Sequence, residues 1–318
     1  MDSLSFVFKI FTRKQAPRAL DCHYLNRWQI DHSILKFKDH RVERFSLSLK
    51  YVKPAGFSLL AIHGLALISL FWLQWELQWV LLCIGSYYIR MFGITAGFHR
   101  LFSHKSFKAK RWYQFLLGAL GTAAIQRGPI WWAAIHRHHH RHSDKTLDIH
   151  SPKAHGFFQS HLGWVFDRSY KSVTQDHVKD LQKFPEIVWL DRHYLVPPAI
   201  YGAILLAIFG WQGFLWGFLI STVLLWHGTF LINSLCHIVG SRRFETRDDS
   251  RNSFLLALLT MGEGWHNNHH FYPGSARQGF YWWEVDFSYY LIKLSALLGW
   301  VTAIKEPIGL KNLKLSPR

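Results

Sequence analysis

Four long apolar runs interrupt an otherwise polar and basic chain: Phe57 to Leu73, Leu77 to Phe98, Tyr194 to Gly210 and Phe214 to Ile232. Each comes close to the about 20 residues that carry a helix across ~30 Å of hydrocarbon, so the pattern predicts four transmembrane helices. The joints Gln74 to Gln78 and Trp211 to Gly213 contain no Lys or Arg, which predicts two hairpins with short outer loops. Two further apolar stretches, Phe107 to Ile125 and Phe287 to Val301, read as helices lying along the membrane interface, with Trp and Tyr at their flanks.

Charge sets the orientation. The 37 Lys and Arg against 20 Asp and Glu give a formal +17, and all the basic residues except Arg90, which lies in the second run, fall in the N-terminal segment 1–53, between the hairpins and in the C-terminal part. By the positive-inside rule these are cytoplasmic, so both termini lie inside and the chain is a multi-pass integral membrane protein. Its single domain, 1–318, has a cytoplasmic cap formed by residues 99–193 and 233–306. Lys and Arg accompany no nucleic-acid motif, so anionic lipid or an acidic electron-donor protein accounts for the charge better than nucleic acid does. Cys22, Cys83 and Cys236 have no CxxC spacing and imply neither a disulfide framework nor a thiolate metal site.

Three short motifs supply eight candidate ligands: HRLFSH (His99, His104), HRHHH (His136, His139, His140) and HNNHH (His266, His269, His270). Neutral imidazole is the commonest protein ligand for transition metals, so this many predicts a polynuclear metal centre. On a helix, positions i, i+3 and i+4 share a face, which groups the second trio and likewise the third. His99 and His104 are five apart, roughly 140° round a straight helix, and are expected to straddle a helix end. An even number of predicted crossings separates the three motifs, so all can meet in the cap. Asp144, Asp148 and Glu263 lie near these histidines and could accept their second ring N–H. His138 and His142 fall off the trio's face; His150, His155 and His161 could equally cap or pack. His63 reads as a buried residue bonded to a neighbouring helix, and His227 as either a cavity or a backbone partner.

The three motifs in this order, with GEGWHNNHH around the third, resemble the membrane-bound acyl desaturases of the stearoyl-CoA desaturase type, from about Ile84 to about Glu306. Four residues inside the first motif favour the Δ9 branch over the Δ12 type and the hydroxylases. The resemblance implies a fourth element, here NSLCH, in which His237 is a ninth ligand and Asn233 holds a water on one metal. It implies two iron ions, O2 as co-substrate, electrons from cytochrome b5, ferredoxin or a similar external carrier, and a cis alkene as product. It also implies a bent acyl tunnel with Gln126, Trp132 and Thr229 at the bend and Tyr87 and Met91 near its far end, where Met91 would shorten the preferred chain. Of the head-group contacts in animal acyl-CoA enzymes, Arg168 remains. Their Arg-Asp pair is Ala134-Ile135 here, their Asn after the bend is Arg127, and Ser169 replaces a basic residue. QRGPIWW and ARQGFYWWEVD look more like bacterial and plant relatives, so acyl-CoA and acyl-lipid both stand as substrates. A diiron lipid hydroxylase is the alternative from the same chemistry. A metal transporter is remote, because such a protein carries ionisable residues inside several spans and these runs hold only His63 and His227 as histidines.

Overall fold

The computed structural model describes residues 54–167 and 178–307. The N-terminal segment 1–53 and the predicted head-group residue Arg168 lie outside the described residues.

The described chain is almost wholly helical. It runs through α1 (Pro54–Ser69), α2 (Leu77–Phe92), α3 (Arg111–Thr122), α4 (Pro129–His142), α5 (Pro185–Arg192), α6 (Val196–Phe214), α7 (Ser221–Ser234), α8 (Phe254–Leu259), α9 (His266–Phe271) and α10 (Phe287–Leu297), with shorter helical turns between. Wider π-helical windings continue α2 through Gly93–Ser103 and join α6 to α7 through Leu215–Ile220. Among the described residues two helical stretches are long and apolar enough to cross a membrane, Leu77–Ser103 and Val196–His237, and Gly56–Ser69 is a shorter apolar helix.

The second of these is broken by Gly210, at φ 65° and ψ −160°. Only a residue without a Cβ adopts that conformation cheaply, so the break falls one residue before the predicted Trp211 to Gly213 turn. The polar connections meet there: Gln212 accepts from the Gln74 amide at 3.1 Å and donates to the Trp72 carbonyl at 2.9 Å. Trp216 Nε1 donates to the Gln74 carbonyl. Trp72, Trp75 and Trp211 are all exposed at this end.

The predicted interfacial segments are shorter helices than expected. Phe107 to Ile125 is helical only over Arg111–Thr122, and Phe287 to Val301 only over Phe287–Leu297. Their remaining ends form a two-residue antiparallel pair, Lys108 with Thr302 and Ala109 with Val301. Apolar content signals burial of these ends but not the pairing partner, which lies about 190 residues away in sequence and is invisible to local periodicity.

α3 crosses the π-helical winding at backbone contact. A Cβ on Gly93 would fall 2.2 Å from the Gly121 amide nitrogen, and one on Gly97 2.9 Å from the Leu117 carbonyl oxygen. The core between them holds Phe98, Phe102 and Leu117, none more than 1% exposed.

Candidate metal centre

The first motif sits in the π-helical winding. The His104 amide donates to the His99 carbonyl at 3.1 Å, an i to i+5 bond, so the two residues are one wide turn apart rather than 140° round the axis. Their rings lie 4.8 Å apart, centroid to centroid. The chain does leave its helix at His104, but the winding, not the helix end, brings the pair together.

α4 carries the second motif. Pro129 occupies its first turn, where a missing N–H costs nothing. Asp191, at the end of α5, caps it by accepting from the Ile130 and Trp131 amides at 2.9 Å each. Gly128 is required for this approach, because a Cβ there would come 2.3 Å from the Asp191 Cα. The third motif lies on α9, whose N-terminal amides at Asn267 and Asn268 donate to the Asn252 side-chain oxygen. The two asparagines between its histidines pin the surrounding loop: Asn267 Oδ1 accepts from the Arg243 and Phe244 amides, and Asn268 Nδ2 donates to Glu284.

These elements bring nine histidines into two groups. His99, His104, His136, His140 and His269 form one; His139, His237, His266 and His270 form the other. Within each group the nearest ring nitrogens all lie within 4.8 Å of one another. Each trio is therefore divided. On α4 the pair His136 and His140 joins the first group and His139 the second; on α9, His269 joins the first and His266 with His270 the second.

The carboxylates fix which nitrogen is free. His99 Nδ1 lies 2.5 Å from Glu263, His139 Nδ1 3.0 Å from Asp148, His237 Nδ1 3.0 Å from Asp144 and His270 Nδ1 2.6 Å from Asp248. Each imidazole donates its Nδ1–H outward, and Nε2 keeps its lone pair for the centre. Asp248 is not legible in the sequence: it lies in a polar loop 22 residues before the histidine it holds, with no motif beside it. Arg100 and Asp286 carry no sequence signal either. Arg100, fully buried, donates to Glu263 at 3.0 Å and to Asp286 at 2.9 Å and so fixes the carboxylate that fixes His99. The side chain of Gln278 lies 3.4 Å from the Nδ1 atoms of both His99 and His269.

Titration behaviour follows from burial and these pairings. Burial, reinforced by the charge of neighbouring histidines, holds His104, His136, His140, His266 and His269 well below the ordinary imidazole value, so they are neutral at pH 7. Burial lowers His270 to about 4, against the pull of Asp248. Burial alone would raise the carboxyls, but His237 brings Asp144 down to about 2, His139 lowers Asp148, His270 lowers Asp248, and His99 with Arg100 lowers Glu263.

The donor set fits metal. An Nε2 atom offers one lone pair or one N–H and so can satisfy one straight hydrogen bond. Yet His136 Nε2 faces those of His104 and His140 at 2.7 and 3.0 Å, and His269 Nε2 faces those of His140 and His99 at 2.9 and 3.1 Å. His270 Nε2 is buried with no hydrogen-bond partner. A cation in each group satisfies all of them, which makes the two groups compatible with a dimetal site.

Both groups border one small cavity of about 70 Å³, lined by His99 and His136 from the first, His139 and His266 from the second, and by Asn233. Gln126, Trp132 and Thr229 line it too and are linked: Gln126 donates to Thr229 at 2.8 Å and accepts from Trp132 Nε1 at 3.4 Å. Tyr87 and Met91 are placed elsewhere. Tyr87 donates to the Leu259 carbonyl, and fully buried Met91 packs beside it against Gly228, so neither lines this cavity or its larger neighbour. His138 bonds the Leu147 carbonyl, and His150 meets Asp148 at 3.2 Å and borders the small cavity. His63, His227 and His161 are linked to one another by ring nitrogens 3.1 and 3.0 Å apart and belong to neither group.

Two histidine groups buried in a helical chain with membrane-length apolar helices point to a membrane-associated metalloprotein. Residues 72–293 match the fatty acid desaturase family profile. The chain is 39% identical over 304 residues to Delta-9 acyl-lipid desaturase 2 of Arabidopsis thaliana, covering 94% of each chain. It is 37% identical over 259 residues to the sn-2 palmitoyl-lipid 9-desaturase of Nostoc sp. (80% of this chain, 90% of the relative). It is also 38% identical over 267 residues to the Acyl-CoA C20 Delta5-desaturase of Anemone leveillei (82% and 85%). The chain belongs to the fatty acid desaturase family, whose members are oxidoreductases of lipid metabolism.

Proposed function

We propose that this enzyme introduces a cis double bond at Δ9 of a saturated long-chain acyl group. The observation that carries the reading is the small cavity bordered by both histidine groups and by the Gln126, Trp132 and Thr229 link. A methylene pair held there faces ligands of two metals at once. In balance, the CH2–CH2 unit, O2, two electrons from an external carrier such as cytochrome b5 or ferredoxin and two protons give CH=CH and two waters. Two iron ions, held by the nine histidines with Asn233 placing a water, would supply the O2 reduction and hydrogen removal.

The chain's own residues position the rest. Gln126 and Thr229 form a bonded polar link in the cavity wall, where the acyl chain bends beside the histidines, and a small misplacement there costs a large factor in rate. Trp132 stacks at 5.0 Å on His136 and closes the wall on the metal side. Carboxylates behind His99, His139, His237 and His270 hold the ring tautomers. Relatives bearing both Δ9 and Δ5 names are similar to this chain, and the Arabidopsis and Nostoc lipid desaturases both carry position 9, which favours Δ9.

The same reading places four crossings in the membrane, with Gly210 and the connection after Ser69 as outer turns and both termini on the side of the histidines. Exposed Trp72, Trp75 and Trp211 suit an interfacial belt at the turn end. The deciding experiment is fatty-acid analysis with double-bond location in a host lacking its own Δ9 desaturase. Δ9 monoenes are expected with the native chain and none with His139→Ala. Monoenes at another carbon would overturn the position, and hydroxy acids would overturn desaturation.

A further inference from the structure

A larger cavity of about 590 Å³ adjoins the small one, sharing Gln126, Trp131, Trp132, Trp164 and Phe230 as walls. It is within the roughly 300–1,000 Å³ of ligand cavities. Arg127 is the only charged residue among the described residues that line it. The guanidinium stands over the rings of Trp131 and Tyr194, 5.1 and 5.7 Å from their centres. It has no hydrogen bond or ion pair to any described residue. The nearby carboxylate, Asp191, accepts the Ile130 and Trp131 amides on Oδ1 and feels the Arg127 charge without forming an ion-pair contact with it. Ile125 and Arg127 both sit at left-handed φ, 57° and 64°, a conformation that side chains with a Cβ keep only where the surroundings impose it. A guanidinium held out of helix geometry, half-buried and without a hydrogen-bond acceptor among the described residues, is built for an anion that arrives with the ligand.

The position of the walls indicates where that ligand enters. Ser58 and Leu59 belong to the first turns of α1, and Leu195, Pro198 and Ala199 to the start of α6. Leu195 is 61% exposed and Ser58 and Ala199 are exposed beside it, so the wall thins toward the apolar surroundings of these helices. We propose that the acyl group arrives on a glycerophospholipid, entering from the bilayer between α1 and α6 with its phosphodiester on Arg127. A phosphodiester brings one negative charge, which one guanidinium matches. A coenzyme A thioester brings a diphosphate and a further phosphate, which a single guanidinium leaves mostly uncompensated. A galactolipid brings no charge at all. The proposal deepens the desaturase reading and rests on it.

The test is native mass spectrometry of the full chain, purified in detergent, with an equimolar mixture of dipalmitoyl phosphatidylglycerol, dipalmitoyl monogalactosyldiacylglycerol and palmitoyl-CoA. Phosphatidylglycerol should be retained about tenfold over each competitor, equivalent to about 1.4 kcal/mol. Arg127→Gln should remove its advantage over the galactolipid. Arg127→Gly, which the left-handed backbone favours, gives the same readout should the glutamine variant fold poorly. Palmitoyl-CoA retained as well as the phospholipid, or an unchanged preference in both variants, overturns the proposal. Monoenes formed in cells without that preference would overturn the carrier alone and leave desaturation standing. A preference without any alkene would overturn the desaturase reading and this inference with it.

Discussion

At the scale of single residues, a carboxylate stands behind each of four histidines, His99, His139, His237 and His270. Spacing put His136, His139 and His140 on one helix face, because the helix itself fixes that, but not the split that sends His139 to the other group. Asp144, Asp148 and Glu263 could be suspected because each lies close in sequence to a candidate ligand. Asp248 could not, since only the folded loop carries it to His270 at 2.6 Å. The geometry predicts that it matters as much as the others. Asp248→Asn keeps the shape but replaces the charged acceptor, and metal affinity should fall by about 10- to 100-fold, the usual effect of losing such a partner. Metal per protein after dialysis against graded chelator reads this directly, and wild-type retention in the variant would show that His270 needs no carboxylate.

At the scale of elements, the wider winding of Gly93–Ser103 does what α-helical geometry forbids: it places His99 and His104 a single turn apart. Apolar patterning reveals the helix but not its pitch, because π-helical winding is imposed by packing and not by propensity. That packing is the crossing with α3. Gly93→Ala would drive a methyl into the Gly121 backbone, 2.2 Å from its nitrogen, where no flexible side chain can yield. The expected cost is about 1–3 kcal/mol or more, read as a lower melting temperature together with lost alkene formation. Unchanged stability would mean that the crossing is loose and the winding has another cause.

A second link between elements has a pH signature. Asp180 takes Arg137 of α4 at 2.7 Å and Lys105, just past the first motif, at 2.9 Å. Burial pushes its carboxyl up, but these two cations outweigh it and bring it to about 2 from an ordinary 3.8. A folded value below the unfolded one means that the stabilisation is complete above pH 3.8 and is lost as pH falls through about 2. Asp180→Asn should therefore melt lower than the native chain at pH 6, with the gap closing between about pH 4 and pH 2. A gap that stays constant through that window would show that the ion pairs do not set it.

At the scale of the whole molecule, the apolar runs were legible because hydrocarbon thickness sets their length, and the way they turn was only partly so. The first run is a helix as far as Ser69, and the last two are one helical stretch interrupted by a single glycine. Hydropathy sums over such a break and cannot see it. The bonds from Gln212 to Trp72 and Gln74 bring both turns to one end, while the histidines collect where α4, α9 and the end of α7 meet. If the apolar helices cross the bilayer, the turns and the metal centre must lie on opposite sides of it, since no buried path lets the polar cap sit within hydrocarbon. A thiol reagent that cannot cross membranes distinguishes the sides. In a background with Cys22 replaced by Ala, and with Cys83 and Cys236 buried, Gln74→Cys should label in sealed, intact cells. Lys145→Cys, exposed just beyond α4, should label only after the cells are opened. Labelling of both positions from outside would exclude the four-crossing arrangement, because residues on either side of an odd number of crossings cannot share a compartment.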